Sequence, residues 1–288
     1  MSRTTTASNE WRFMDSGPGT GAWNMAVDEA VSIAVREGRA RPTVRAYTWQ
    51  PAAVSLGYGQ RLSDEINVYR CREYGIDVVR RQTGGRVVLH ASELTYSVIA
   101  PESHPSIGET AYETYRRISE VLQAALEEAG IPAELAASPT VTPEGPGGAC
   151  FTYAARFELV VDGRKIVGSA QRRARGVVLQ HGSILLGPGH MRLPMLLPKR
   201  RAADRQNLMD HLAQNTISVT ELLGQEIPYQ GLVTLLRKHF ARILNVSFHD
   251  EGLNGQEKAE SIRLEREKYG SEAWTGRTHG EQNRTEQL

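Results

Sequence analysis

The sequence predicts an α+β fold, a mixed β-sheet packed by helices, on three observations. Short alternating stretches such as Trp11-Arg12-Phe13-Met14 lie among segments whose apolar residues recur at helical spacing, such as Ala26, Val27, Ala30, Val31 and Ala34. These two kinds of segment follow one another without a regular strand–helix–strand rhythm, so the sheet should be mixed. Asp162-Gly163 stands between the strand-like stretches 157–161 and 164–171 as the two-residue turn of a hairpin.

Taken in order, residues 1–9 are polar and read as loose, and Trp11 to Met14 alternates as a strand does. Gly17-Pro18-Gly19-Thr20-Gly21 then reads as a turn leading into a helix that ends near Gly38. A phosphate-binding loop is excluded there, because no Gly-Lys-[Ser/Thr] follows and the glycines miss the dinucleotide spacing. Residues 42–49 and 53–58 read as strands parted by Gln50-Pro51, and 66–74 as a short helix stopped by Gly75. Residues 76–80 and 86–90 flank the paired glycines Gly84-Gly85, and 94–99 is a further strand. Residues 110–129 have the composition of a helix closed by Gly130-Ile131-Pro132. Between 136 and 149, Pro139, Pro143, Gly145, Pro146, Gly147 and Gly148 preclude regular structure, and the loop ends at Cys150-Phe151. A third strand of the hairpin sheet spans 176–186; 216–223 and 231–244 read as helices, 257–269 as a charged terminal helix, and the chain from Thr275 onward as a disordered polar tail.

Composition narrows the function. The 288 residues carry 34 Lys+Arg against 33 Asp+Glu, a formal net charge of +1, which argues against a general nucleic-acid binder. Charge is nevertheless uneven: 80–91 and 164–175 hold eight Lys or Arg residues and no acidic one. Solvated faces explain this as well as a docking surface for acidic carrier proteins does. No stretch approaches the roughly 18 apolar residues of a membrane span, and no apolar run follows Met1-Ser2-Arg3, so a cytoplasmic location is expected. The two cysteines, Cys71 and Cys150, offer neither a disulfide framework nor a zinc site, and no metal cluster is expected. Cys71 reads as a half-buried small residue.

The chemistry concentrates in two stretches and the loop between them. In Arg80-Arg81-Gln82-Thr83-Gly84-Gly85-Arg86 and in Arg164-Lys165-Ile166-Val167-Gly168-Ser169-Ala170-Gln171, small residues leave backbone uncovered, so an elongated ligand could approach closely. Cys150, in its Pro/Gly-rich loop, is the candidate nucleophile of an acyl-transfer site, against the bland alternative of an ordinary loop thiol. Lone histidines such as His90 and His181 are more often packing residues than bases. Arg81 either contacts a phosphate or is solvated at a strand end.

In their order and spacing, Asn24-Met25-Ala26-Val27-Asp28-Glu29, Ser55-Leu56-Gly57-Tyr58, Arg81-Gln82-Thr83-Gly84-Gly85-Arg86, Leu89-His90 with Glu93-Leu94-Thr95-Tyr96-Ser97, Cys150-Phe151, Gly163–Gln171 and Gln180-His181-Gly182-Ser183 resemble the biotinyl/lipoyl protein ligase superfamily. Within it they resemble the octanoyl-[acyl-carrier-protein]:protein octanoyltransferases of the LipM type, from about Trp11 to Phe248. One departure stands out, since the family usually has Asp after the motif histidine and this chain has Ala91.

The resemblance implies a mixed sheet packed on one side by helices, with a catalytic domain over 1–248 and a charged helix and tail over 249–288. It implies transfer of an octanoyl group from octanoyl-acyl carrier protein, through a Cys150 thioester, to the lysine of a lipoyl-domain protein such as the glycine cleavage H protein. An ATP-dependent lipoate ligase and an octanoyl-H protein:protein amidotransferase are the alternatives within the superfamily; a non-catalytic binder of lipoyl domains or fatty acid is the alternative outside it. Lys165 is implied as the cation that stabilises the thiolate. Arg81, Gly84, Gly85, His90, Gly168, Ser169, Ala170, Gln171 and His181 are implied as the acyl and substrate contacts. No cofactor, ATP included, no metal, no nucleic acid and no membrane is expected, and a monomer is.

Overall fold

The computed structural model describes residues 9–136 and 157–277. In chain order the first half runs β1 (Glu10–Gly19), α1 (Gly21–Arg36), β2 (Thr43–Trp49), β3 (Ala53–Leu56), α2 (Leu62–Glu65), α3 (Val68–Glu73), β4 (Asp77–Arg80), β5 (Val88–His90), β6 (Glu93–Pro101) and α4 (Ala111–Glu128). Then come β7 (Glu134–Leu135), β8 (Leu159–Val161), β9 (Arg164–Ala174), β10 (Val177–Leu185), α5 (Asp204–Asn215), α6 (Val219–Leu223), α7 (Tyr229–Leu244), β11 (Ser247–Asp250), α8 (Gly255–Leu264) and α9 (Glu272–Gly276). Eight strands form one mixed sheet in the order β11-β1-β2-β6-β10-β9-β8-β7, and β4-β3-β5 form a second, small one.

Helices cover both faces of the large sheet, where one covered side was expected. Leu94, Tyr96, Val98 and Ala100 of β6 face Ile118, Leu122 and Leu126 of α4 and Leu236 and Phe240 of α7. The other face carries Met14, Ile99, Val177 and Leu179 against Val27, Val31 and Val35 of α1. Burying each of those valines contributes roughly 1.5–3 kcal/mol. Thr20 starts α1 by accepting from the Trp23 amide at 3.1 Å, and Thr110 and Glu113 form a reciprocal cap on α4.

Several local expectations shift for tertiary reasons. The Gly17-Pro18-Gly19 stretch, read as a turn, completes β1, which pairs with β2 through a register break between Asp15 and Pro18. The paired glycines do not close a hairpin: β4 runs parallel and β5 antiparallel to the same strand, β3. The hairpin does form, with both Asp162 (φ 49°) and Gly163 (φ 74°) left-handed as a two-residue turn requires. Thr216 is not helical, because the Ile217 amide donates to the Lys165 carbonyl at 3.0 Å and α6 begins only after Ser218 caps it. The helix before it, α5, falls in the stretch up to about residue 248 that reads as mainly helical, without bounds of its own.

The end of the described chain is packed rather than loose. Arg12 of β1 grips Glu257 of α8 with two hydrogen bonds of 2.7 and 2.6 Å, both side chains buried. Glu29 of α1 accepts from Lys268 Nζ at 2.7 Å and from the Tyr269 hydroxyl at 2.6 Å. Thr275 and Arg277 are buried, although the sequence reads as a polar tail from Thr275 on. Buried Arg80 draws them in by donating to the carbonyls of Trp274 and Thr275.

Candidate active site

Where α1, the small sheet and the β9–β10 pair meet, they line a small, narrow cavity. Arg81, His90, Gly168, Ser169, Ala170 and His181 line it, so six of the residues singled out in the sequence come together. Gly84, Gly85 and Gln171 are not among its lining residues, nor is Lys165. The sequence reading missed Met25, Tyr47, Trp49, Ser55, Thr95 and Ser183, which with Val88 and Gly182 complete the wall. Ser55 and Ser183 were visible as members of the motifs Ser55-Leu56-Gly57-Tyr58 and Gln180-His181-Gly182-Ser183; Tyr47 and Trp49 carried no local signal.

The glycine turn is built for packing. Gly85 takes φ +92°, which only glycine adopts readily, and a Cβ on Gly57 would collide with the Gly85 carbonyl. The two motifs therefore interlock backbone against backbone. Arg81 fastens them: its guanidinium donates to the carbonyls of Ser55 at 3.0 Å, Gly84 at 2.8 Å and Arg86 at 2.7 Å, and to Ser55 Oγ at 3.0 Å. It is buried and neither of the two roles considered for it, phosphate contact or strand-end solvation, matches this stapling geometry.

Two imidazole–carboxylate pairs stand behind the cavity. His90 Nδ1 lies 2.8 Å from Glu93 Oε1, His90 Nε2 lies 2.7 Å from Ser55 Oγ, and the ring stacks on Trp49 at 4.0 Å. Because Ser55 Oγ already accepts from Arg81, its own proton points to His90 Nε2, leaving Nδ1–H for Glu93. Burial pushes the Glu93 carboxyl up, but His90 and the hydroxyls of Ser183 and Thr95 more than offset this and hold it below the usual carboxylate range. Glu93 thus supplies His90 with the carboxylate that Ala91 cannot offer.

The second pair is Asp28 and His181, with Nδ1 3.5 Å from Oδ2. Burial raises the Asp28 carboxyl, yet the Arg45 guanidinium at 2.8 Å and His181 bring it below its ordinary value. Burial pushes the His181 imidazole down despite Asp28. Its Nε2 lies 2.7 Å from Thr83 Oγ1, so the pair fixes the glycine turn from beneath. Arg45 also donates to the carbonyl and side chain of Asn24, which accounts for the Asn24–Asp28 motif as the mount of a buried arginine.

Lys165 enters the fold at the start of β9. It is 2 % exposed, and its Nζ donates to Glu158 Oε1 at 2.6 Å. The candidate nucleophile Cys150 lies outside the described residues. Cys71 is fully buried in α3 against an apolar cluster, and burial pushes its thiol up to about 11, which makes it unreactive.

This architecture is that of lipoate-protein ligase catalytic domains. A bipartite lipoate protein ligase from Thermoplasma acidophilum superposes with a TM-score of 0.75 at 21 % identity, over 93 % of this chain and 96 % of that one. A putative lipoate protein ligase from T. acidophilum with bound lipoic acid gives 0.74 at 21 % identity, over 93 % and 98 %. The model of the lipoyl protein ligase A/B catalytic domain matches residues 20–241. Proteins named Octanoyltransferase LipM are similar throughout: that of Geobacillus kaustophilus is 38 % identical over 93 % of this chain and 98 % of its own length, and that of Symbiobacterium thermophilum 40 % identical over 93 % and 98 %. The chain thus belongs to the lipoyl protein ligase A/B catalytic-domain family and, within it, to the LipM octanoyltransferases. It is an enzyme, an acyltransferase of lipoylation.

Proposed function

We propose that the chain moves an octanoyl group from octanoyl-acyl carrier protein to the target lysine of a lipoyl-domain protein, with the glycine cleavage H protein as acceptor. The observation that carries this reading is end-to-end similarity to LipM octanoyltransferases at 37–40 % identity. Cys150 Sγ attacks the donor carbonyl, the donor carbon–sulfur bond breaks, and the carrier thiol leaves. The acceptor lysine then attacks the Cys150 thioester, the carbon–sulfur bond breaks again, and an amide forms as the amine proton passes to the departing sulfur. Exchange between thioesters is nearly level and thioester to amide is downhill, so the reaction needs neither nucleotide nor metal.

In this reading Lys165 keeps the Cys150 thiol ionised and polarises the acyl carbonyl. Its burial favours that role, since an ammonium acts more strongly on a neighbouring charge where water is scarce, while the Glu158 carboxylate at 2.6 Å opposes it. The acyl chain lies along Gly168, Ser169 and Ala170, between His90, His181 and Arg81. Gly84, Gly85 and Gln171 serve the entrance rather than the cavity wall. The enzyme works in the cytoplasm as a monomer, and no helix among the described residues is long and apolar enough to cross a membrane.

Mixing the protein with octanoyl-acyl carrier protein should add one octanoyl mass to the peptide containing Cys150, and Cys150→Ser should not discharge to the acceptor as an amide. Full transfer by Cys150→Ala, driven by ATP and a free acid, would overturn the proposal.

A further inference from the structure

A second, larger and open groove of about 590 Å³ also borders the glycine turn. Arg36, Arg172, Arg173, Arg175, Lys268 and Arg277 line it, and among its lining residues Glu29 is the single carboxylate. Glu29 is already engaged by Lys268 and Tyr269. The groove borders the turn directly, because Arg172 Nη1 donates to the Gln82 carbonyl at 3.1 Å, one residue before the Thr83 that meets His181.

Arg277 is the anomaly in this groove. Its side chain is held between two rings, with Cζ 3.9 Å from the Tyr58 centroid and 3.8 Å from that of Trp274, and the residue is only 7 % exposed. Yet among the described residues its buried Nε and Nη2 have no hydrogen-bond partner. A guanidinium carries five fixed donors and buried ones are normally all met, so two such nitrogens, with three N–H donors between them, on a buried cation call for an acceptor. Other positive charge is gathered around the same rings: Arg172 Cζ lies 5.0 Å from the Tyr58 centroid and Lys268 Nζ 4.1 Å from that of Trp274. Neighbouring Arg80 gives its donors to main-chain carbonyls, and burial together with Arg277 pushes its guanidinium down to about 10. An oxyanion suits these donors, and the phosphodiester of a carrier arm, a monoanion, presents two non-bridging oxygens that match a fork of N–H donors.

We propose that Arg277, assisted by Arg172 and Lys268, binds the phosphate ester of the acyl donor's prosthetic arm, so that the arm is held in the groove while its acyl end enters the cavity past the glycine turn. This rests on the transfer reading above, in which the acyl group arrives as a thioester on a phosphopantetheine-bearing carrier. A free nucleotide offers the same phosphate chemistry, and the test separates the two sources.

The full chain is assayed with two donors differing only in the phosphate, octanoyl-phosphopantetheine and octanoyl-pantetheine. The wild type should favour the phosphorylated donor in kcat/KM by about tenfold, the loss expected when a charge-assisted hydrogen-bonded contact is removed. Arg277→Gln should bring that ratio close to one and Arg277→Lys should retain part of it, the change lying in KM. Arg172→Gln, on the facing wall, should lower the ratio in the same direction and serves if the Arg277 variants do not fold. Binding is read independently as a change in Trp274 fluorescence on titration with phosphopantetheine, with pantetheine and with ATP. A wild-type ratio of one, or a ratio unmoved in both Gln variants, overturns the site, and ATP binding as tightly as phosphopantetheine overturns its assignment to the donor arm. If neither donor turns over and Cys150 takes up no octanoyl group, it is the transfer reading that fails; the fluorescence titration still decides the phosphate site.

Discussion

Lys165 and Glu158 form a buried ion pair of 2.6 Å that ties the start of β9 to the residue preceding β8. A buried pair stabilises little in net terms, but removing one partner takes an ion-pair contact from the other buried charge, at up to about 3–5 kcal/mol. Lys165→Ala and Glu158→Ala should each lower unfolding free energy by roughly that amount, and the double variant should cost clearly less than their sum. Urea denaturation of the four proteins measures this. Additive losses would mean that the pair is not coupled, and any activity lost by Lys165→Ala must be judged against the stability it costs.

His181 and His190 are both pushed below the ordinary histidine value, in each case chiefly by burial. The unfolded chain then takes up protons before the folded one does, so their contribution is whole above about pH 6.5 and is lost as pH falls toward the depressed folded values. Each histidine adds at most about 1.4 kcal/mol per pH unit across its window. Stability measured from pH 7.5 down to 5 should decline, and His181→Gln should flatten the decline. A curve that rises on acidification would contradict the assignment.

Ala170 lines the cavity beside His181, its cross-strand neighbour on β10. Ala170→Leu should fill the space of about two methylenes, each worth about 0.8 kcal/mol when buried. Comparison of hexanoyl and octanoyl donors should show the preference shifting roughly tenfold toward the shorter chain. Loss of both activities in equal measure would place the acyl chain elsewhere.

The bidentate Arg12–Glu257 pair joins β1 to α8 across 245 residues of sequence. Glu257→Ala leaves a buried guanidinium with its carboxylate partner gone and should destabilise the protein by about 3–5 kcal/mol. Thermal melts of this variant, and of a chain ending at Glu251, should both fall well below the wild type. An unchanged melting temperature for the shortened chain would show that residues beyond 251 are dispensable to the fold.

Much of the fold was legible because periodicity and turn chemistry act over a few residues. The alternation at Trp11–Met14, the apolar stripe of α1 and the Asp162-Gly163 hairpin needed nothing distant to be read. The cavity was half legible. His90, His181 and Gly168–Ala170 stood out as motif residues, whereas Tyr47 and Trp49 enter the wall only because β2 lies beside β6.

By itself the sequence determined the strands and helices, the family motifs and the two histidines that line the site. Only tertiary structure decided that Glu93 does for His90 what Ala91 cannot, that Arg81 staples a turn, and that Arg277 closes a groove against Tyr58 and Trp274. The reason is physical: local backbone preference is written in neighbouring residues. A buried charge, in contrast, takes its partner from whatever the packed chain brings within about 3 Å.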